Sequence, residues 1–251
     1  MTQLTASDLA LRHGTRDILR GVGVTASGGE FIVLIGPNGS GKSTLLSLLA
    51  GLGRPDAGEV QLDGVPLERI PPRQLALQRA WLPQAARCEW PLAVEHMVAL
   101  GLSPLGREDP ARVQAVLADC DLLALRQQSV ATLSGGELAR AMLARALVAD
   151  PAVLIVDEPL AGLDPRHAWE AARRLRQLAV EQGKLVIATI HDLNIAMRRA
   201  TRVWALHDGR LLADGPPEAS MTGEMLQQLF GVPVAVTRRE RHLYVDFAPE
   251  F

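Results

Sequence analysis

Apolar residues fall along this chain in two rhythms, and the change from one to the other divides it into elements. Up to residue 36 they read as strands, "QLTASDLAL", "ILRGVGVTAS" and "EFIVLIG", with no helix between them. The run "FIVLI" is short, continuous and β-branched, as a strand buried on both faces requires, and it leads straight into a glycine loop. At 42–50 the spacing turns helical and stops at Gly51, a residue suited to closing a helix. A turn-rich "GRPDAGEVQLDGVPL" follows, then a helical 71–79 and a short strand "AWLP" that ends at Gln84. From 91 to 133 the patterns are helical only, with Pro104, Gly106 and Pro110 as breakers. Beyond them "AVLIV", "PRHAWEAARRLRQLAVEQG", "KLVIATI" and "DLNIAMRRA" alternate as strand, helix, strand and helix, which implies βαβ units and a largely parallel sheet. "RVWALHDGRLLADG" reads as a hairpin turning at Asp208-Gly209. The expectation is an α/β protein whose core is interrupted by a helical insertion.

Composition narrows what such a protein does. With 251 residues, 48% of them hydrophobic, the chain can bury one substantial core. A net charge of -2 provides no general attraction to nucleic acid, and the basic groups Arg173, Arg174 and Arg176, and Arg238, Arg239 and Arg241, read as solvated faces. Cys88 and Cys120 form no C-x-x-C pair, so neither a zinc site nor a disulfide framework is indicated and a reducing cytosol fits. "MTQLTASDLA" lacks a charged-then-apolar leader, and no apolar run approaches the ~18 residues of a membrane span. Contact with a membrane is therefore expected to pass through another chain.

The chemistry lies at the ends of the strand-like runs. In "GPNGSGKST" (Gly36, Pro37, Asn38, Gly39, Ser40, Gly41, Lys42, Ser43, Thr44) the glycines let backbone N–H groups approach phosphate oxygens. Lys42 adds a point charge near the β and γ phosphates of a nucleotide, and Ser43 can ligate magnesium. "AVLIVDEP" carries the chain through the sheet and delivers Asp157 and Glu158 at a strand's C-terminal end, where open α/β sheets bind ligands. Asp157 is a candidate magnesium ligand; alternation along an extended chain would point Glu158 elsewhere, toward an attacking water as general base. His191 ends the next strand, where it serves either as a cap or as a γ-phosphate contact. Gln84 ends "AWLPQ", where a neutral amide can orient water or magnesium. A second anion cradle stands at "LSGGE", where Ser134, Gly135 and Gly136 open a helix-like run.

Taken together, these motifs closely resemble the ATP-binding cassette family, the ATPase subunits of ABC transporters, over nearly the whole chain. "GPNGSGKST" resembles the Walker A loop, Gln84 the Q-loop, "LSGGE" the family signature and "LIVDEP" the Walker B strand. "AGLD", ending at Asp164, resembles the D-loop, and His191 the switch histidine. The resemblance implies the P-loop NTPase cassette fold: a mostly parallel core sheet, an N-terminal antiparallel β part and an inserted helical signature subdomain. One domain over 1–251 is expected, its α/β core at 1–84 and 150–251 and its helical subdomain at 85–149. ATP and Mg2+ are the implied cofactors, with Glu158, His191 and Gln84 as catalytic residues and Ser43, Gln84 and Asp157 at the metal. The resemblance also accounts for the second cradle. Two cassettes pair head to tail, so Ser134, Gly135, Gly136 and Asp164 of one copy meet the nucleotide held by the Walker loop of the other.

Departures from the family's pattern are few. His13 stands where an aromatic residue commonly stacks on adenine, and imidazole can do the same. Ala139 replaces a common glutamine of the signature. "QRAWLPQ", "VALGLSPLG" and "GPPEASMTGEMLQQLFGV" look most like cassettes of importers for iron chelates, haem and cobalamin; a zinc or manganese importer and an efflux cassette stay open. Such a subunit works at the cytoplasmic face of the bacterial inner membrane, with a permease dimer and, through it, a substrate-binding protein. The stretch from Gln84 to about residue 106, with Trp90, Leu92, Val94 and Met97, is the expected permease contact, against the plainer reading that these residues pack inside. A DNA-repair ATPase of the same family would carry a long coiled coil or clustered cysteines between Walker loop and signature, where this chain has about ninety residues and no long heptad run.

Overall fold

The structure, a computed structural model, describes residues 1–84, 90–240 and 242–247. Two long strands open it, β1 (Gln3–His13) and β2 (Arg16–Ser27), paired antiparallel about a two-residue turn. β3 (Phe31–Ile35) leads through the glycine loop into α1 (Lys42–Leu49), which stops where Gly51 takes φ +66°. β4 (Ala57–Leu62) and the two-residue β5 (Val65–Pro66) complete a four-stranded antiparallel sheet of order β2-β1-β4-β5. Next come α2 (Pro72–Gln78) and β6 (Arg79–Leu82).

Between β6 and the following strand the described residues hold helices and turns and a single isolated bridge, Ala93 to Ser129. The helices are α3 (Val94–Ala99), α4 (Pro110–Asp119) and α5 (Gly135–Leu147), joined by 3₁₀ turns of which Leu100–Leu105 is the longest. Alternation then resumes with β7 (Val153–Val156), α6 (Pro165–Val180), β8 (Leu185–Thr189), α7 (Leu193–Arg199), β9 (Arg202–His207) and β10 (Arg210–Gly215). α8 (Pro217–Ser220), α9 (Gly223–Phe230) and the hairpin of β11 (Val234–Arg239) and β12 (His242–Phe247) finish the chain.

The central sheet has the order β10-β9-β3-β8-β7-β6, parallel throughout except for the antiparallel edge strand β10. Its strands are apolar on both sides because two cores cover it. Phe31, Val33 and Ile35 of β3 face a core built with the helices α3 to α7, while Ile32 and Leu34 face a second core shared with α1 and the antiparallel sheet. The alternate positions of one five-residue strand thus serve opposite layers, which a continuous apolar run permits.

The chain differs from its sequence pattern in three places. The turn-rich "GRPDAGEVQLDGVPL" contains β4 and β5; within those two strands only Val60 and Leu62 are buried, too few to show a rhythm. The hairpin of β11 and β12 is a further element that the apolar pattern does not predict. The arginines of α6 are not simply solvated. Arg174 pairs with Asp119 at 3.4 Å, and Arg176 Nη1 donates to the Arg199 carbonyl at 2.7 Å. Arg238 and Arg239 are exposed as expected, while Arg241 and Cys88 lie outside the described residues.

In the 3₁₀ turn after α3, the backbone of Gly101 packs tightly against α5. A Cβ on Gly101 would lie 2.1 Å from the Arg145 carbonyl oxygen and 2.5 Å from Val148 Cγ1. Gly101→Ala is expected to cost about 1–3 kcal/mol by forcing these segments apart. Gly135→Ala, whose Cβ meets nothing within 4 Å, is the control that should cost nothing. Urea denaturation of both variants checks this; equal stabilities would mean that the contact at Gly101 relaxes freely.

Candidate functional site

The glycine loop is shaped by what lies under it. Gly36, at φ +153°, leaves no room for a side chain, since its Cβ would come 2.1 Å from the Leu206 carbonyl oxygen of β9. Gly41, at φ +103°, starts α1 and sits with its Cβ position 2.8 Å from the Ile18 carbonyl oxygen. No side chain caps this helix, so its first-turn N–H groups are open to an anion and the helix dipole favours one. Lys42 Nζ donates to the carbonyls of Gly36 at 2.8 Å and Pro37 at 3.0 Å. Burial pushes the Lys42 pKa down, and the negative charges of Glu158 and Asp157 partly restore it. The cavity over the loop, about 500 Å³, is lined by Asn38, Gly39, Gly41, Lys42, Ser43 and Thr44 together with Gln84, Glu158 and His191. Ser40 is buried beneath it, its hydroxyl without a hydrogen-bond partner among the described residues.

Three neighbouring strands supply the rest. β7 delivers Asp157, whose N–H donates to the Leu82 carbonyl of β6 at 2.9 Å. Thr189, at the end of β8, donates its hydroxyl to Asp157 Oδ1 at 2.6 Å and accepts the Glu158 N–H at 2.6 Å. Glu158 does not continue the strand. It takes φ +50°, so the direction of its side chain comes from a left-handed turn, not from the strand alternation expected from sequence. The turned carboxylate gathers the two other candidates: Gln84 Nε2 donates to Oε2 at 2.6 Å, and His191 Nε2 hydrogen-bonds Oε1 at 2.6 Å. Asp192, beside His191, caps α7 by accepting the N–H groups of Asn194 and Ile195.

The other candidates stand apart. Ser134 caps α5 in a reciprocal capping box: its hydroxyl and N–H both donate to Glu137 Oε2, at 2.7 and 2.8 Å, and the Glu137 N–H returns to it at 3.4 Å. Gly135 and Gly136 line a second cavity of about 500 Å³, which also contains Gln84, Asp157 and Glu158 but no residue of the glycine loop. Asp164 caps α6, accepting the His167 N–H at 2.9 Å and lying 2.6 Å from His167 Nδ1. His13 is exposed at the turn between β1 and β2 and does not line the loop cavity. Arg16 and Ile18 line it instead, with Arg16 Nη2 donating to the Gly39 carbonyl at 3.3 Å. Sequence reasoning missed both, because no motif marks them and they reach the loop only once the antiparallel sheet folds over it. Apolar positions expected at a partner surface divide as well: Val94 and Met97 are core residues, Leu92 is half-buried and Trp90 is 70% exposed, while Leu100, not named from sequence, is 49% exposed.

Comparison with known proteins identifies the family and the fold. The family model described as ABC transporter matches residues 19–161. The hemin import ATP-binding protein HmuV of Rhodopseudomonas palustris (strain ATCC BAA-98 / CGA009) is 42% identical over 223 residues, covering 86% of this chain and 83% of that protein. HmuV of Bradyrhizobium diazoefficiens is 39% identical over 251 residues, covering 96% and 93%. Among solved structures, cbiO1 from Clostridium perfringens, part of the ABC transporter complex cbiONQ, superposes with a TM-score of 0.79 at 26% identity, over 90% of this chain and 92% of that one. An inward-facing metal-chelate type ABC transporter gives a TM-score of 0.85 over 100% and 98% of the two chains; at 22% identity this likeness bears on the fold alone.

The capping box offers a pH test. Hydrogen bonds from the Ser134 hydroxyl and N–H hold the Glu137 carboxyl below the usual carboxylate range. A folded pKa lowered in this way contributes stability that is complete above the ordinary glutamate value and is lost as pH falls through the folded one. Glu137→Gln keeps the cap's shape without the charge. The stability gap between wild type and Glu137→Gln, measured by urea denaturation, is therefore expected to be constant near neutrality and to close on the acid side. A gap unchanged into acid would mean that the charge contributes nothing to the cap.

Proposed function

The chain belongs to the ABC transporter family, and from that premise we propose that it is the ATP-hydrolysing subunit of an importer of haem or a related metal chelate. Its activity is that of an ATPase, and ATP is its substrate. The observation that carries the catalytic reading is the meeting of Gln84 and His191 on the single carboxylate of Glu158, at the wall of the cavity that the glycine loop floors. In this reading the loop N–H groups and Lys42 bind the phosphates, Glu158 polarises the attacking water, and His191 and Gln84 position it. The donors near the loop, the Ser43 hydroxyl, the Asp157 carboxylate and the Gln84 amide oxygen, are hard oxygens suited to Mg2+. They are too few to enclose it, which matches an ion that also takes ligands from the nucleotide, and no cluster of three or more His, Cys, Asp or Glu side chains suited to a metal occurs among the described residues. Bound there, Mg2+ would neutralise charge on the β and γ phosphates.

A second copy completes the site. Support comes from the separation of the two cradles: the glycine loop and Gly135 and Gly136 line different cavities of one chain, as two halves meant for different nucleotides would. In the head-to-tail dimer, Ser134, Gly135, Gly136 and Asp164 face the partner's ATP. We assign residues 85–149 to a helical subdomain and the remainder to the core. The exposed Trp90 and Leu100 are the proposed contact with a permease dimer at the cytoplasmic face of the inner membrane. No helix among the described residues is long and apolar enough to cross a membrane. For the cargo, the support is the hemin import named for relatives at 37–42% identity.

Glu158→Gln is expected to keep ATP affinity and lose about 10²- to 10⁴-fold in turnover, because an amide takes no proton. Lys42→Ala should lose affinity and turnover together. A Glu158→Gln chain hydrolysing ATP at the wild-type rate would sink the assignment.

Mixing two inactive variants tests the dimer. Ser134→Arg and Lys42→Ala chains, combined, form heterodimers with one doubly damaged and one intact site, so activity should return. Heterodimers that form and stay inactive would refute action in trans or the independence of the two sites. For the cargo, the membrane partner purified with this chain should retain a haem or other metal chelate and raise ATP turnover when it is supplied; retention of a bare ion or a peptide would overturn that part.

A further inference from the structure

Thr189 is the one polar residue in β8: Leu185, Val186, Ile187 and Ala188 before it are fully buried, and Thr189 itself is 1% exposed. A hydroxyl taken out of water at the end of an apolar strand is unfavourable unless both its donor and its acceptor capacity are used. Here both are used, and both on the same neighbouring pair. The proton goes to Asp157 Oδ1 and the lone pair takes the Glu158 N–H, each at 2.6 Å. Across the sheet Thr189 is level with Leu34 of β3, two residues before the glycine loop begins.

The second of these bonds bears on the backbone. Glu158 holds φ +50°, a conformation that residues with a Cβ avoid and that persists only where the surroundings fix it. Its N–H is fixed by Thr189, and from that turn the carboxylate reaches Gln84 and His191. We propose that Thr189 is a positioning residue for ATP hydrolysis: one hydroxyl orients the Asp157 carboxylate and clamps the left-handed turn that aims Glu158. The inference rests on the reading of Glu158 as the group that polarises water. It concerns placement of the reacting groups and not nucleotide affinity, because Thr189 does not line the glycine-loop cavity.

Valine has the shape of threonine without the hydroxyl, so Thr189→Val tests the bonds and Thr189→Ser restores them without the methyl group. Thr189→Val is expected to lose about 10- to 100-fold in kcat, the scale on which misplacement of reacting groups is felt, with KM for ATP and equilibrium binding of a fluorescent ATP analogue within about 3-fold of wild type. Thr189→Ser should recover most of the lost kcat. If Thr189→Val does not fold, as judged by its melting curve, the comparison is made between Thr189→Ala and Thr189→Ser with the same expected split.

Three results would overturn the proposal: wild-type kcat in the hydroxyl-free variant, parallel loss of nucleotide binding and turnover, or a serine variant as impaired as valine. Glu158→Gln run alongside separates the two levels of the argument. If it abolishes turnover while Thr189→Val does not, only the role of Thr189 fails; if it leaves turnover intact, the reading of Glu158 fails beneath it.

Discussion

The register of the parallel strands is the constraint on which the site depends. Leu82 lies level with Val156, Val156 with Ala188, and Leu34 with Thr189, so β6, β7, β8 and β3 all end at one edge. Gln84, Asp157, His191 and Gly36 follow within two residues of those ends. A slip of one residue in any strand would turn its side chains to the opposite face, and both faces are packed, with Phe31, Val33 and Ile35 in one core and Ile32 and Leu34 in the other. Aliphatic packing on two sides of a sheet therefore sets the alignment of groups that make no apolar contact themselves.

At that edge the polar groups hold one another. Lys42 is buried, which disfavours its charge, and the neighbouring carboxylates of Glu158 and Asp157 oppose that effect. Asp157 is tied to Thr189, and Glu158 to Thr189, Gln84 and His191. Hydrogen bonds in such a partly buried cluster are stronger than in water, and a group deprived of its partner costs more there. The ends of three strands consequently share one network. A ligand that drew Gln84 or His191 away from Glu158 would be felt at the others, which is how occupation of the loop cavity can be read by residues that do not touch it.

The helical segment between β6 and β7 shares the apolar core of the central sheet and adds a few polar links to it. Arg174 to Asp119, Arg112 to Asp150 and Arg73 to the carbonyls of Pro104 and Leu105 link it to the core. Asp119 and Asp150 are largely exposed, and exposed pairs contribute only ~0–1 kcal/mol each. Its own α5 is by contrast firmly started, by the capping box at Ser134. Ala141, Met142, Ala144 and Leu147 of α5 are buried in the core that also holds Phe31, Leu154 and Val186, so apolar packing and not the exposed ion pairs carries the attachment.

What could be read from the chain and what could not divide along a physical line. Gly36 to Thr44, Ser134 to Gly136 and the pair Asp157 and Glu158 act through consecutive residues, so their chemistry is written contiguously. The buried runs of β3, β7 and β8 were legible for the same reason, each being a short apolar stretch that needs no partner to be recognised. β4, with two inward residues, and the hairpin of β11 and β12 carry weaker rhythms. Arg16, Ile18 and Thr189 act on groups 23 to 32 residues away or further, and nothing beside them in sequence announces it. Glu158 is the instructive case: alternation assumes that the strand goes on, and here the backbone turns left-handed one residue after Asp157. That turn is stabilised by a hydroxyl from the next strand, so the orientation of the central carboxylate is a property of the sheet and not of the motif that contains it.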